Sequence, residues 1–362
     1  MDNVQMSATI FQTIGWPIGS GGTVPDAAAL ETLTEFAFKS RVGLLFLDEC
    51  LNKGVVLGPK ASELHRSLTA RRLATDEVVT VLADRLDEVA RGEWVLFKSI
   101  KPFAATPNDT DWFPLDPSRH AELVKHLLDG DSFELLEIAP RQTTLIHSAG
   151  VGVTDTTKKG GVYYIDCYKY PSTDYFIYLD PRRLRGHVTE AIVAGRTVPV
   201  LAPHAELTSI MYHNVFPERS FSIESYYLIK SYLRAIEKEG TEDDFVGVCR
   251  DQKVEFAAAA NLVAVREIDR VQFGIKDSTV DRLLSALKHE DLELPGFAAG
   301  GAYPHEFSNR IFWRTFASKL RDRTALGSAG NQALHMLNPV FFADVVKIIW
   351  RRCVRGGVYE QN

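Results

Sequence analysis

The sequence predicts an α+β protein, with a mixed sheet and its helices over residues 92–202, a helical segment before it (27–91) and a helical domain after it (203–362). Apolar residues recur at helix spacing on both flanks, at Leu30, Leu33, Phe36 and Ala37 and again at Leu207, Ile210, Met211 and Val215. From Trp94 the apolar runs shorten to strand length and alternate with helix-start signals.

Residues 1–26 hold Gly19, Gly21, Gly22 and Pro25, and read as an irregular, flexible leader. No Gly-Lys-Ser/Thr follows these glycines, so they form no phosphate-binding P-loop. A helix is expected from Asp26 to a stop at Gly54, and two shorter ones around 60–72 and 75–90. Such a trio fits a packing collar or a winged-helix-like module. The collar is preferred, because any three helices imitate a helix–turn–helix.

Trp94–Phe97 is a short apolar strand and Thr110–Leu115 a second. Asp116-Pro117 starts a helix, with Asp as cap and Pro in the first turn, that runs to Leu128 and closes at Asp129-Gly130. Strands are expected at 133–138, 142–148, 151–155, 161–168 and 175–179, after which Asp180-Pro181 repeats the helix start. Beyond Pro203, further helical stripes fall at Val280, Leu283, Leu284 and Leu287 and at Phe342, Val345, Val346 and Ile349, the last ended by Gly356-Gly357. A Gly- and Ala-rich loop separates them at 295–304.

A net charge of −6 argues against a surface basic throughout, while leaving room for a local basic groove. The four cysteines, Cys50, Cys167, Cys249 and Cys353, form no C-x-x-C pair and suggest neither a zinc knuckle nor a disulfide framework. With no basic-then-apolar start and no apolar run near the roughly 20 residues that span a bilayer, a cytoplasmic protein without a membrane segment is expected.

The chemistry-bearing residues begin with Asp109-Thr110-Asp111. On a strand, residues i and i+2 share a face, so both carboxylates would stand side by side, and a hard divalent cation relieves their repulsion. Asp166 is a lone acid in the β-prone run Val162–Tyr168, where burial needs a metal, a hydrogen bond or an ion pair with Lys169 or an Arg. His204 and His213, nine positions apart, read as a cap and a packed core histidine. His305-Glu306 lacks the second His of a zinc-protease motif, and no Gly-x-Ser-x-Gly elbow occurs. Basic clusters stand at Arg182, Arg183 and Arg185, at Arg314, Lys319, Arg321 and Arg323, and at Arg351, Arg352 and Arg355. Each reads first as a solvated helix face, the first also as a phosphate or RNA-end contact.

The segment Phe97-Lys98-Ser99, nine residues, then Asp109-Thr110-Asp111-Trp112, with Asp166 on a later strand, resembles the nucleotidyltransferase superfamily of the DNA polymerase β type. Tyr178-Leu179-Asp180-Pro181 and Met211-Tyr212-His213-Asn214-Val215-Phe216 resemble later segments of poorly characterised prokaryotic members, so the likeness covers about residues 92–235. It implies a nucleotidyltransferase-type sheet and two-metal transfer of a nucleoside monophosphate from an NTP such as ATP, with Mg²⁺ or Mn²⁺ on Asp109, Asp111 and Asp166. It further implies nucleotide contacts from Ser99, with Lys98, Lys101, Arg182 and Arg183 as candidate phosphate cations. RNA, protein or a small molecule would be the acceptor. Lys98 departs from the family's glycine, which lets backbone approach a triphosphate. That departure keeps open a non-catalytic nucleotide- or nucleic-acid-binding regulatory protein on a degenerate version of the same fold.

Overall fold

The computed structural model describes residues 1–18, 22–107, 109–147, 163–339 and 342–343. Helices α1 (Asn3–Ile14), α2 (Ala27–Lys39), α3 (Gly43–Asn52) and α4 (Pro59–Ala90) come first. The leader expected to be irregular thus contains a helix. Asp2 and Gln5 form a capping box, and Met6, Ile10, Phe11 and Ile14 are buried. The glycines and prolines that suggested a leader all follow Ile14, so composition averaged over 26 residues hid a helix in the first half.

The helix expected from Asp26 to Gly54 is two, α2 and α3, separated at Arg41, whose φ of 60° ends the first. The two helices expected over 60–90 are instead the single 32-residue α4. Pro59 occupies its first turn, and no Gly or Pro interrupts it afterwards. Thr75, where the second of those helices was expected to begin, donates its hydroxyl to the Arg71 carbonyl (3.1 Å) within the one continuous helix.

Strands β1 (Trp94–Phe97), β2 (Asp109–Pro114), β3 (Glu134–Ala139), β4 (Gln142–His147) and β5 (Tyr163–Tyr168) follow, with α5 (His120–Leu128) between β2 and β3. Of the expected strand at 175–179 only a short pair remains, β6 (Ser172–Thr173) with β7 (Phe176–Ile177). The expected strand 151–155 lies outside the described residues. Asp180-Pro181 opens only a three-residue 3-10 turn, and the chain then makes an unanticipated hairpin, β8 (Val188–Val193) with β9 (Arg196–Leu201). Ala194 and Gly195, both at positive φ (48° and 81°), turn it, as tight hairpin loops require.

Seven strands form one mixed sheet in the order β3-β4-β5-β2-β1-β9-β8. β1 and β2 are antiparallel, whereas β2 lies parallel to β5 with Asp111 opposite Asp166. Alternating residues serve two faces. Trp94, Leu96, Trp112, Ile165 and Cys167 pack on α4 and α5 through Val78, Leu82, Leu86, Leu123 and Leu127. Val95, Phe97, Phe113 and Tyr168 join the larger core, which also takes in α1–α3 and the helices after Pro203.

Those helices are α6 (Pro203–Val215), α7 (Ile223–Glu239), α8 (Glu242–Asp251), α9 (Glu255–Ile268), α10 (Ser278–Ala286), α11 (Asn309–Lys319) and α12 (Arg323–His335), with the short strands β10 (Ser220–Phe221) and β11 (His305–Glu306) paired antiparallel. The stripes at Leu207–Val215 and Val280–Leu287 are buried as their spacing predicts. Of the stripe from Phe342 to Ile349, only Phe342 is among the described residues, and the cluster Arg351, Arg352 and Arg355 lies outside them. Among the described residues, no helix is long and apolar enough to cross a membrane.

Candidate metal centre and its cleft

Parallel pairing of β2 and β5 brings three acids together. Asp109 and Asp111 share a face of β2, Asp166 stands beside Asp111 on β5, and one ligand atom from each lies within 4.8 Å of the others. Asp111 is buried, while Asp109 and Asp166 are half-buried. Thr144, opposite Asp166 on β4, donates its hydroxyl to Asp166 Oδ1 at 2.7 Å. Burial first, then the charges of Asp109 and Asp166, push the Asp111 carboxyl up to about 7 against the opposing pull of Lys98. Burial and Asp109 likewise raise Asp166. An all-oxygen set of mutually repelling carboxylates suits a hard cation such as Mg²⁺ or Mn²⁺.

Lys98 stands directly after β1, where a glycine was expected, and its backbone adopts φ 59°. That left-handed conformation costs a lysine roughly 1–2 kcal/mol. Two contacts hold it there. Its N–H donates to the Glu206 carboxylate, and Nζ lies 2.9 Å from Asp111 Oδ2, 4.6 Å from the Phe97 ring centre and 5.5 Å from that of Tyr168. Burial alone would lower the ammonium's pKa, but Asp111, Tyr168 and Tyr178 together hold it well above the ordinary lysine range.

The other expected nucleotide ligands divide. Lys101 lines the same cleft as Asp109 and Asp111 and pairs with Glu224, whereas Asp166 is not part of the cleft wall. Ser99 does not line it. Its hydroxyl is buried, accepts the Asp111 N–H at 2.7 Å and lies 3.1 Å from the Phe97 carbonyl, so it ties the β1–β2 connection to β2 instead of presenting itself to a phosphate. Arg182 and Arg183 also lie outside the cleft wall. Arg182 folds back on Asp180 through two 3.0 Å bonds, and Arg183 reaches Asp322 (3.0 Å) and the Asp251 carbonyl (2.8 Å). Each of the two guanidinia is thus paired with an acid. Asp180 and Asp116 serve as caps, accepting the N–H groups of Arg182 and Ser118.

The cleft, about 430 Å³, is walled by the sheet, by α2 and α4 through Lys39 and Arg71, by Arg41 between α2 and α3, and by α6 and α7. Helix α6 contributes two groups that sequence spacing passed over. Glu206 is 4% exposed and its Oε2 has no hydrogen-bond partner among the described residues. Burial pushes this carboxyl up to about 8, although the Lys98 N–H pulls it down. His213, expected to be a packed core histidine, lines the cleft instead, with Nε2 3.2 Å from Glu218 Oε1. Burial, then Lys98, holds its imidazole below the ordinary range. His204 pairs with His187 at 2.9 Å, away from this wall. A readable signal for Glu206 existed: an acid flanked by Leu207, Ile210 and Met211 in an apolar helix is costly without a task.

Comparison of the chain with protein-family models, with curated proteins and with solved structures finds no match.

Proposed function

We propose that this protein is a divalent-cation-dependent nucleotidyltransferase, which moves a nucleoside monophosphate from an NTP to an acceptor hydroxyl. The observation that carries the reading is the convergence of Asp109, Asp111 and Asp166 from two parallel strands, with Asp109 and Asp111 on the wall of a cleft that also holds Lys39, Arg41, Arg71 and Lys101. A cavity of about 430 Å³ accommodates a nucleotide-sized ligand.

In this reading the three carboxylates hold the cation, which when bound neutralises charge on the phosphates and favours the acceptor alkoxide. Lys101 and the arginines of the N-terminal wall bind the triphosphate, since a polyanion needs cationic donors besides metal. The acceptor oxygen bonds to the α-phosphorus as the bond to the bridging oxygen breaks, pyrophosphate departs, and the acceptor proton passes to Asp166. Phe97, Tyr168 and Tyr232 exclude water from the inner wall, which strengthens each electrostatic contact there.

One observation favours a second reading, in which the protein binds nucleotide or nucleic acid without catalysis: Asp111 already has a cationic partner in Lys98. Incubation with each labelled NTP and Mg²⁺ or Mn²⁺, resolving label on the protein, on added RNA and on small molecules, separates the two. Label transfer supports the enzyme. Nucleotide retention without transfer under every condition supports the binding protein.

A further inference from the structure

We infer that the Lys98 ammonium takes the place of one of the two cations of a two-ion phosphoryl-transfer centre, so that this site binds a single divalent ion. The inference rests on the nucleotidyltransferase reading and deepens it.

In a two-ion centre a shared carboxylate gives one oxygen to each ion, and the ions stand about 3.5–4 Å apart. Here Asp111 Oδ2 is committed to Lys98 Nζ at 2.9 Å, which leaves Oδ1 for an ion shared with Asp109 and Asp166. The ammonium is not a passing surface charge. Its side chain is 15% exposed, its ammonium lies over the rings of Phe97 and Tyr168, and its backbone is held in the left-handed region by the Glu206 carboxylate. A residue kept in that conformation by a buried acid from another helix is positioned for its side chain as well as its turn.

Charge leads to the same count. The three carboxylates are balanced by one ammonium and one divalent cation, whereas a second divalent ion would sit against Nζ with no carboxylate oxygen of Asp111 left to separate them. Lys101 does not fill this role, because its ammonium is engaged by Glu224. An independent observation marks the site as built for a ligand: Glu206, 4% exposed and part of the cleft wall, keeps Oε2 buried and without a hydrogen-bond partner among the described residues.

The test is ion stoichiometry, read without any turnover. The full chain, stripped with a chelator, is titrated with Mn²⁺ and free ion is followed by electron paramagnetic resonance. One tightly held Mn²⁺ per chain is expected for the wild type, and two for Lys98→Met, which keeps the stem without the charge. Lys98→Gly, which suits the positive φ, should give the same second ion and serves if the Met variant does not fold. Two ions in the wild type, or a single ion in both variants, would overturn the inference while leaving the nucleotidyltransferase reading intact. No ion in the wild type would overturn both.

Discussion

The two faces of the seven-stranded sheet are made by neighbouring residues of the same strands, yet they solve opposite problems. On the outer face, Trp112, Ile165 and Cys167 are sealed beneath α4 and α5, and even the Trp112 indole N–H finds a partner in the Cys167 sulfur at 3.0 Å. One position along each strand, Asp111 and Asp166 turn to the inner face, where like charges crowd and one lysine stands among them. The outer face is satisfied by packing. The inner face is left short of positive charge, and the proposed cation site rests on that deficit.

The largest effect should come from the inner face. Asp109→Asn with Asp111→Asn is expected to reduce nucleotide transfer by at least ~10³-fold, because charge neutralisation at the phosphates is lost. Melting of Asp109→Asn alone in chelator should show stability held or raised, because one of the repelling carboxylates disappears while the Lys98–Asp111 pair is kept. A fall in stability instead would mean that Asp109 is a structural partner, and the contrast between the faces would collapse.

Trp112→Ala is the matching change on the outer face. It should cost about 3–5 kcal/mol in denaturant unfolding, the ordinary loss for a buried aromatic, wherever the site chemistry stands.

Glu206→Gln sharpens the comparison through pH. The Glu206 carboxyl lies at about 8 in the folded chain against an ordinary 4.5, so the native state binds the extra proton between those values. Wild-type stability therefore falls as pH rises from about 4.5 to about 8, and the penalty is complete above that window. The Gln variant should lack this slope, matching the wild type near pH 4.5 and exceeding it by a few kcal/mol above pH 8. Parallel melting curves at both ends of the window would remove Glu206 from the account.

Ser99→Ala should have the smallest effect, about 1–2 kcal/mol, from the unpaired Asp111 N–H. Its KM for NTP should be unchanged. A rise in KM with stability intact would return Ser99 to the phosphate-binding role that its motif suggests.

What could be read from the sequence followed from short-range rules. Spacing on a strand was enough to put Asp109 and Asp111 on one face, and the β-prone run around Asp166 was enough to make it a strand residue. The caps at Asp116 and Asp180 were legible for the same reason, since a cap acts within a few residues. What stayed hidden depends on partners far away in the chain. Nothing near Lys98 announces that Glu206, 108 residues on, holds its backbone, or that Asp111 holds its ammonium. Arg183 looked available because its acid, Asp322, lies 139 residues further on, whereas the partner of Arg182 is Asp180, only two residues before it. The β8–β9 hairpin was masked by the stronger Asp-Pro signal before it, although Ala194-Gly195 between alternating residues was there to be read.

Helix α4 ties the two faces together mechanically. At 32 residues it is a rod of roughly 48 Å. Leu68 and Arg71 in its first half form part of the cleft wall, and Val78, Leu82 and Leu86 in its second half lie against the outer face. With no Gly or Pro inside, it has no hinge. The wall that carries Arg71 therefore cannot flap like a loop. Its displacement would require tilting the whole rod against the sealed aromatic layer under Trp94 and Trp112. The outer core therefore braces one wall of the cleft.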